Sequence, residues 1–163
     1  MSISLRDVLP DDDPFLYEVY ASSREQELAL VPWTEEQRKA FLLMQCNAQH
    51  SYYREHYPNA THSIILRDDI RLGRLYVLRD KDAIRILDIT ILPAYRGAGV
   101  GTSLIRPLLE EADQSKRSVQ IYVETFNPSL QLFQRLGFKP IAEEGINFLM
   151  EWTPETTPGP PGQ

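Results

Sequence analysis

The chain has 163 residues and a formal net charge of −6, which is the size of one ordinary domain and too acidic a balance to favour long phosphate backbones as partners, so no nucleic acid is expected. Its one cysteine, Cys46, excludes an internal disulfide and Cys-rich zinc modules. With 42% hydrophobic and 25% charged residues, the composition is globular, no apolar run approaches the ~18–20 residues of a membrane span, and an N-terminus as acidic as MSISLRDVLPDDD does not suit a signal peptide; a soluble, cytoplasmic protein is expected.

Ser2 to Val8 reads as a first strand, with Ile3 and Leu5 apolar at period two. Pro10-Asp11-Asp12-Asp13-Pro14 is turn chemistry, and its aspartates suit the positive end of a helix dipole. A helix then runs through Phe15, Leu16, Val19 and Tyr20, and the stretch from Ser22 to Pro32 is ambiguous. Thr34 with Gln37 three residues on predicts a capped helix start. In the helix that follows, Phe41, Met44, Ala48 and Tyr52 share one face, predicted to be the buried one, and Tyr57-Pro58-Asn59 ends it.

Three strands are predicted next, His62 to Leu66, Arg71 to Leu78 and Ala83 to Leu92, with aspartate-rich turns between them that imply antiparallel hairpins. From Ile86 to Leu92 the third is apolar on both alternating faces apart from Asp88 and Thr90, as in a central strand. After Gly101 a helix carries Leu104, Ile105, Leu108, Leu109 and Ala112 on one stripe, with Pro107 inside it, where a kink is expected. Val119 to Val123 is a further strand. Asn127-Pro128 then starts a helix whose face is Leu132, Phe133 and Leu136, with Gly137 suited to its end. Phe138 to Ile141 and Ile146 to Trp152 are the last strands, and residues 154–163, rich in Pro and Gly, read as a disordered tail after a single domain over residues 1–153.

The informative segment is Ile89-Thr90-Ile91-Leu92-Pro93-Ala94-Tyr95-Arg96-Gly97-Ala98-Gly99-Val100-Gly101-Thr102. A buried strand stops at Pro93, three glycines alternate, and an apolar helix begins. Alternate glycines bare the backbone N–H groups at a helix start, where the dipole attracts an anion, and Arg96 adds positive charge. Glycines alone would also suit a turn that merely joins strand to helix. A nucleotide P-loop would need a Lys after the last glycine, and a dinucleotide fingerprint would need G-x-G-x-x-G early in a βαβ unit; neither fits.

Arg96-x-x-Gly99-x-Gly101 after Pro93 resembles the acetyl-CoA-binding motif of the GNAT N-acetyltransferase superfamily. The run from Val123, Glu124 and Asn127-Pro128 to Phe133 and Leu136-Gly137-Phe138 resembles the second signature of that superfamily. The resemblance spans about residues 3–152 and is greatest to small bacterial members with Pro32-Trp33 and a long following helix. It implies an α/β (α+β) fold: a mixed, mostly antiparallel central sheet with a parallel, splayed strand pair and helices on both faces. It further implies that Ile89 and Ile91 offer backbone groups to the pantetheine arm, that Arg96, Gly97, Ala98, Gly99, Val100, Gly101 and Thr102 hold the pyrophosphate, and that Asn127 bonds the pantetheine region. Phe133, also in the cofactor-binding signature, stands where the family often has a Tyr that protonates the leaving thiolate, so the hydroxyl is missing here.

Acyl transfer to an amine needs somewhere for the amine's proton to go. Glu124, at a strand end, and Asp88, a carboxylate in an apolar strand, are the two catalytic candidates; Asp88 has the opposite phase from Ile89 and Ile91 and could equally be a structural acceptor. Glu25 and Glu27 could face the acceptor, in a region that forms the acceptor wall in the resembling family. His50, His56 and His62 are six apart, unsuited to a helical metal pair, and no metal is expected. Cys46 reads as a small buried hydrophobe, and Trp33 as a core or pocket-wall residue. The expectation is an acetyl-CoA-dependent N-acetyltransferase moving an acetyl group to a primary amine, small-molecule or peptide, directly within a ternary complex. The alternative, prompted by Phe133, is a non-catalytic acyl-CoA-binding module. Residues 1–60 hold ten acids against five bases, which favours a cationic acceptor, and the resemblance allows a homodimer.

Overall fold

The computed structural model describes residues 2–154; the tail assigned to 154–163 lies outside it beyond Pro154. In chain order the elements are β1 (Ile3–Asp7), α1 (Asp13–Leu28), α2 (Glu35–His56), β2 (Thr61–Arg67), β3 (Ile70–Arg79), β4 (Ala83–Ile91), α3 (Val100–Ser115), β5 (Ser118–Glu124), α4 (Ser129–Arg135), β6 (Lys139–Glu144) and β7 (Asn147–Trp152). The strand order is β1-β2-β3-β4-β5-β7-β6. Every pairing with a printed register is antiparallel except the parallel ladder of β4 with β5. That is the mixed α+β sheet the sequence predicts. Contacts group residues 2–78 and 88–101 into one compact unit, and 79–87 and 102–154 into another. Among the described residues, no helix is long and apolar enough to cross a membrane.

In the first unit, β1 and β2 pair from Ile3↔Arg67 to Asp7↔Ser63, and β2 and β3 pair from Thr61↔Val77 to Arg67↔Ile70 with a register shift at Ile65/Leu66. Phe15, Leu16, Val19 and Ile64 form one core cluster, as the spacing in the first helix requires. The ambiguous stretch after Ser22 is helix: α1 continues to Leu28, whose side chain packs with Tyr20, Leu42 and Cys46. Trp33 and Phe41 lie against that cluster with ring centroids 5.0 Å apart, so Trp33 belongs to the core side.

The Asp11-Asp12-Asp13 run departs from its expected role. Asp12 is buried, and Arg6 holds it with two bonds of 2.7 and 2.9 Å, Arg71 with one of 3.4 Å and the Leu9 N–H with one of 2.8 Å. The Arg6 bonds hold its carboxyl well below the usual carboxylate range. It ties β1, the turn before α1, and β3 together rather than serving only a helix dipole.

Helix α2 starts as predicted, with Thr34 accepting from the Gln37 N–H and the Gln37 side chain accepting from the Thr34 N–H. Its inward face is not the predicted one. Met44 and Tyr52 are exposed, and the buried residues are Leu42 and Cys46. The helix is turned because it delivers Gln49 and His50 to a buried arginine, described below, so polar residues occupy inward positions that a hydrophobic pattern assigns to the surface.

In the second unit, Ala83–Ile86 of β4 pair in parallel with Ser118–Ile121 of β5. β5 and β6 each pair antiparallel with β7. Helix α3 begins at Val100, one residue ahead of Gly101, and runs through Pro107; Val100, Leu104, Ile105, Leu108 and Ala112 are its buried stripe. Arg79 and Arg117 both bond Glu111 on α3, at 2.7 and 3.0 Å. Helix α4 ends in a Schellman turn: the Phe138 N–H donates to the Phe133 carbonyl (3.0 Å) and the Gly137 N–H to that of Gln134 (3.1 Å), with Gly137 at φ 99°. The rings of Phe133 and Phe138 meet edge to face across this turn, 5.3 Å between centroids.

Candidate functional site

The end of β4 and the loop after it belong to the first unit. Leu92 donates its N–H to the Leu72 carbonyl at 2.8 Å, carrying the β3–β4 ladder to the strand's end. The approach is close because β3 has a glycine there: a Cβ on Gly73 would stand 2.0 Å from the Thr90 carbonyl oxygen and 2.9 Å from the Ile91 Cα. Sequence reasoning passed over Gly73, although a glycine inside a strand pattern is a signal of close backbone approach. Ile89 and Ile91 lie beyond the four pairs that join β4 to β5.

After Leu92 the chain makes a single 3₁₀ turn over Pro93–Tyr95 and reaches the glycines. Gly97 and Gly99 both have φ 80°, a conformation that side chains rarely adopt, and a Cβ on either would meet nothing within 4 Å. The loop surface at 97–99 is thus bare backbone beside open space, at the start of α3. This fits a diphosphate: a cradle of amides plus the positive end of a helix. Arg96 is exposed and its Nε–H donates to the Ile91 carbonyl at 2.8 Å, which fixes the guanidinium at the mouth of the loop and occupies part of the Ile91 acceptor capacity. Tyr95 lies under the Arg67 guanidinium, 5.3 Å from its ring centre.

Asp88 and Thr90 share the phase opposite to Ile89 and Ile91. Arg74, on β3, is 2% exposed and donates from Nε to Asp88 at 2.6 Å, from Nη1 to His50 Nε2 at 3.1 Å and from Nη2 to Gln49 Oε1 at 2.5 Å. The Thr90 hydroxyl also donates to Asp88, at 3.1 Å. Asp88 therefore has the partners a carboxylate in an apolar strand requires. A guanidinium only donates, so His50 Nε2 accepts and the neutral ring carries its proton on Nδ1. Tyr53 is pushed up to about 12, chiefly by burial and then by the Asp88 charge. Arg74 was missed in the sequence; its signal was a lone charge inside the apolar run Leu72–Leu78.

Of the remaining predicted residues, Glu124, Asn127, Phe133 and Thr102 lie in the second unit, and Glu27, Cys46, His50 and His62 in the first. Glu124 is the last residue of β5, half-buried, paired in register with Asn147, and its carbonyl accepts from the Asn127 N–H at 2.9 Å. The helix starts one residue later than predicted, at Ser129 with Pro128 as its N-cap, and the Asn127 side-chain oxygen accepts from the Ser129 N–H at 2.9 Å. Phe133 is 2% exposed and packed on Phe138. Thr102 is half-buried in the first turn of α3. Glu27 pairs with Arg24 at 3.0 Å on α1. Cys46 is buried, as expected. His50 and His62, far apart in sequence, are neighbours with ring centroids 6.0 Å apart; among the described residues, no group of three or more His, Cys, Asp and Glu could hold a metal.

Comparison with known proteins extends this geometry. A family model described as an acetyltransferase (GNAT) domain matches residues 24–154. A candidate [ribosomal protein bS18]-alanine N-acetyltransferase of Bacillus subtilis (strain 168) is 27% identical over 142 residues, which cover 84% of this chain and 81% of that one. The glucosamine 6-phosphate N-acetyltransferase of Trypanosoma brucei brucei is 37% identical over 54 residues, 33% of this chain and 36% of that one. The crystal structure of the PaiA N-acetyltransferase of Thermoplasma acidophilum, solved in complex with coenzyme A, has the same fold with a TM-score of 0.71 at 18% identity, covering 94% of this chain and 99% of that one.

Proposed function

The chain belongs to the GNAT family of acetyl-CoA-dependent N-acetyltransferases, and from that premise we propose that it moves an acetyl group from acetyl-CoA to a primary amine by direct attack within a ternary complex. The observation that carries this reading is the loop at 97–99: two glycines at φ 80°, open where side chains would stand, at the head of α3. Gly97 to Thr102 hold the diphosphate through main-chain amides, and Arg96 adds charge at the entrance. Backbone groups at Ile89 and Ile91 pair with the pantetheine arm as an added strand pairs with a sheet edge. Acetyl-CoA supplies a thioester whose thiolate leaves at a pKa near ~8.5, so departure without a side-chain acid is tolerable at neutral pH. Phe133 in place of a Tyr is then no obstacle to turnover.

Glu124 accepts the proton that the attacking amine gives up. Asp88, tied to Arg74 and Thr90, holds the end of β4 in place. The acceptor is cationic before it reacts, a small amine or a peptide amine, a reading supported by the acidic balance of residues 1–60.

The test is calorimetric titration with coenzyme A alongside thiol-release assays over a panel of amines. Gly99→Val is expected to lower coenzyme A affinity by about tenfold or more, because a side chain at that φ distorts the loop and covers its amides. Affinity that survives this change sinks the cradle. Glu124→Gln is expected to lower turnover and alter the pH–rate profile while sparing coenzyme A binding; an unchanged profile removes Glu124 from the chemistry.

A further inference from the structure

Three bonds leave the buried Arg74 guanidinium, and they go to two different elements. Its Nε–H donates to Asp88 on β4 at 2.6 Å, while Nη1–H and Nη2–H donate to His50 and Gln49 on α2 at 3.1 and 2.5 Å. A guanidinium is planar and its N–H groups form a rigid fork. Acceptors on two elements can all be met only when those elements stand at one separation and angle. A buried charge that loses an acceptor finds no water to replace it. Arg74, standing on β3, thus clamps α2 to β4. Apolar contact holds a helix on a sheet as well, but a fork of charge-assisted bonds adds direction.

The clamp grips a segment with little else to fix it. The parallel ladder of β4 with β5 runs from Ala83↔Ser118 to Ile86↔Ile121, and Ile89 and Ile91 lie past its end. Side chains alternate along a strand, so Asp88 and Thr90 stand on one face and bracket Ile89 in the chain. The Thr90 hydroxyl donates to Asp88 at 3.1 Å. With residues 88 and 90 both tied to the guanidinium, directly or through one bond, the peptide groups between them have a set orientation. The backbone groups at Ile89 and Ile91 take their direction from it. Arg74, Gln49, His50 and the segment 88–91 all belong to the first unit.

We propose that Gln49 and His50 are positioning residues for the cofactor strand: acting through Arg74, they set the placement of the β4 end and with it the affinity for coenzyme A. The proposal rests on the reading that Ile89 and Ile91 pair with the pantetheine arm. It extends the determinants of cofactor binding to α2, an element apart from both the glycine loop and β4.

The experiment is calorimetric titration of the full chain with coenzyme A, with the melting temperature of each variant read in parallel. Gln49→Ala and His50→Ala are each expected to weaken coenzyme A about fivefold, because one arm of the fork loses its acceptor and the rest resettles. Gln49→Glu keeps an acceptor oxygen at the same reach and is expected to bind within about twofold of wild type. Leu42→Ala is the control for a general loss of stability. It lies about two turns earlier on α2, packed with Tyr20, Leu28 and Cys46, and is expected to lower the melting temperature while leaving coenzyme A affinity unchanged. In an Arg74→Lys background, where no fork spans the two elements, Gln49→Ala is expected to add nothing. Unchanged affinity in either alanine variant, a Gln49→Glu chain as weak as Gln49→Ala, an equal loss in Leu42→Ala, or losses that multiply between Gln49→Ala and Arg74→Lys would each overturn the proposal. Should Arg74→Lys not fold, the contrast of the Gln49 variants with Leu42→Ala decides it. A wild-type chain that does not bind coenzyme A overturns the cofactor site itself, an outcome distinct from binding that is indifferent to Gln49 and His50.

Discussion

Asp88 shows how a neighbour decides what a residue does. Its sequence context, a carboxylate between apolar residues, fits both a catalytic base and a structural acceptor, and the pair with Arg74 at 2.6 Å gives it a structural task. The pair is asymmetric: the arginine side chain is 2% exposed and the aspartate 23%. Asp88→Ala leaves a buried guanidinium without its counter-charge, a change worth ~3 kcal/mol or more, to be read as a shift of the urea midpoint at constant slope. Asp88→Asn keeps an acceptor oxygen for Arg74 and is expected to retain most of that stability. Turnover that collapses in the Asn variant while its midpoint holds would return Asp88 to the chemistry. Gly73 supplies a second prediction. Its missing Cβ would stand 2.0 Å from a backbone oxygen that cannot swing aside, so Gly73→Ala must part β3 from β4, an overpacking cost of ~1–3 kcal/mol. The melting temperature is expected to fall by ~2–4 °C per kcal/mol for a chain of this length, with coenzyme A affinity falling too, because the displaced segment carries Ile89 and Ile91. Neither Gly73 nor Arg74 could be assigned from the sequence, since their roles come from which strand lies beside them and at what register.

Among the elements, those closed by local chemistry were legible and those turned by tertiary demands were not. Thr34 and Gln37 form their reciprocal cap within four residues, and Gly137 with Phe138 closes α4 by contacts to Phe133 and Gln134, so both helix ends could be read from composition and spacing. The exposed Met44 and Tyr52 of α2 follow instead from the inward placement of Gln49 and His50 toward Arg74. Apolar spacing cannot report a polar residue recruited to a buried charge. The alternating glycines were legible for the opposite reason, since a backbone conformation at positive φ restricts residue type directly. The same restriction gives a graded prediction at two turns. Gly137 has φ 99°, and a Cβ there would come 3.3 Å from the Trp152 Cδ1; Gly145, between β6 and β7, has φ 60° and nothing within 4 Å. Gly145→Ala is expected to cost ~1 kcal/mol from its backbone alone. Gly137→Ala should cost measurably more, because it also presses on the indole, and urea midpoints of the two variants give the difference. Equal losses would mean that the Trp152 ring yields freely.

Across the molecule, acid stability is set by groups that burial keeps uncharged. His62 is pushed down to about 3 by burial, then by the charge of Arg74 and by His50, with Asp12 acting weakly the other way. His50 is lowered for the same first reason. In the unfolded chain both rings titrate near ~6.5. Between that value and the folded pKa the unfolded state binds more protons, so stability is complete above pH ~6.5 and declines as the pH falls toward 3. Carboxylates act later: Asp12 and Glu111 are both held low, by Arg6 and Arg79 respectively, so their stabilisation is full above the unfolded carboxylate range near ~4 and is lost only as the pH falls through and below it. The window from pH 6.5 to about 4.5 therefore isolates the histidines. Urea midpoints across pH 8 to 4.5 are expected to be level down to about 7 and then to fall. His62→Phe keeps the ring against Tyr76 and removes the titrating group, so its curve should be flatter in that window while both proteins lose stability together below pH 4. A wild-type midpoint that stays level between pH 7 and 5 would show that water reaches these imidazoles and that burial does not hold them uncharged.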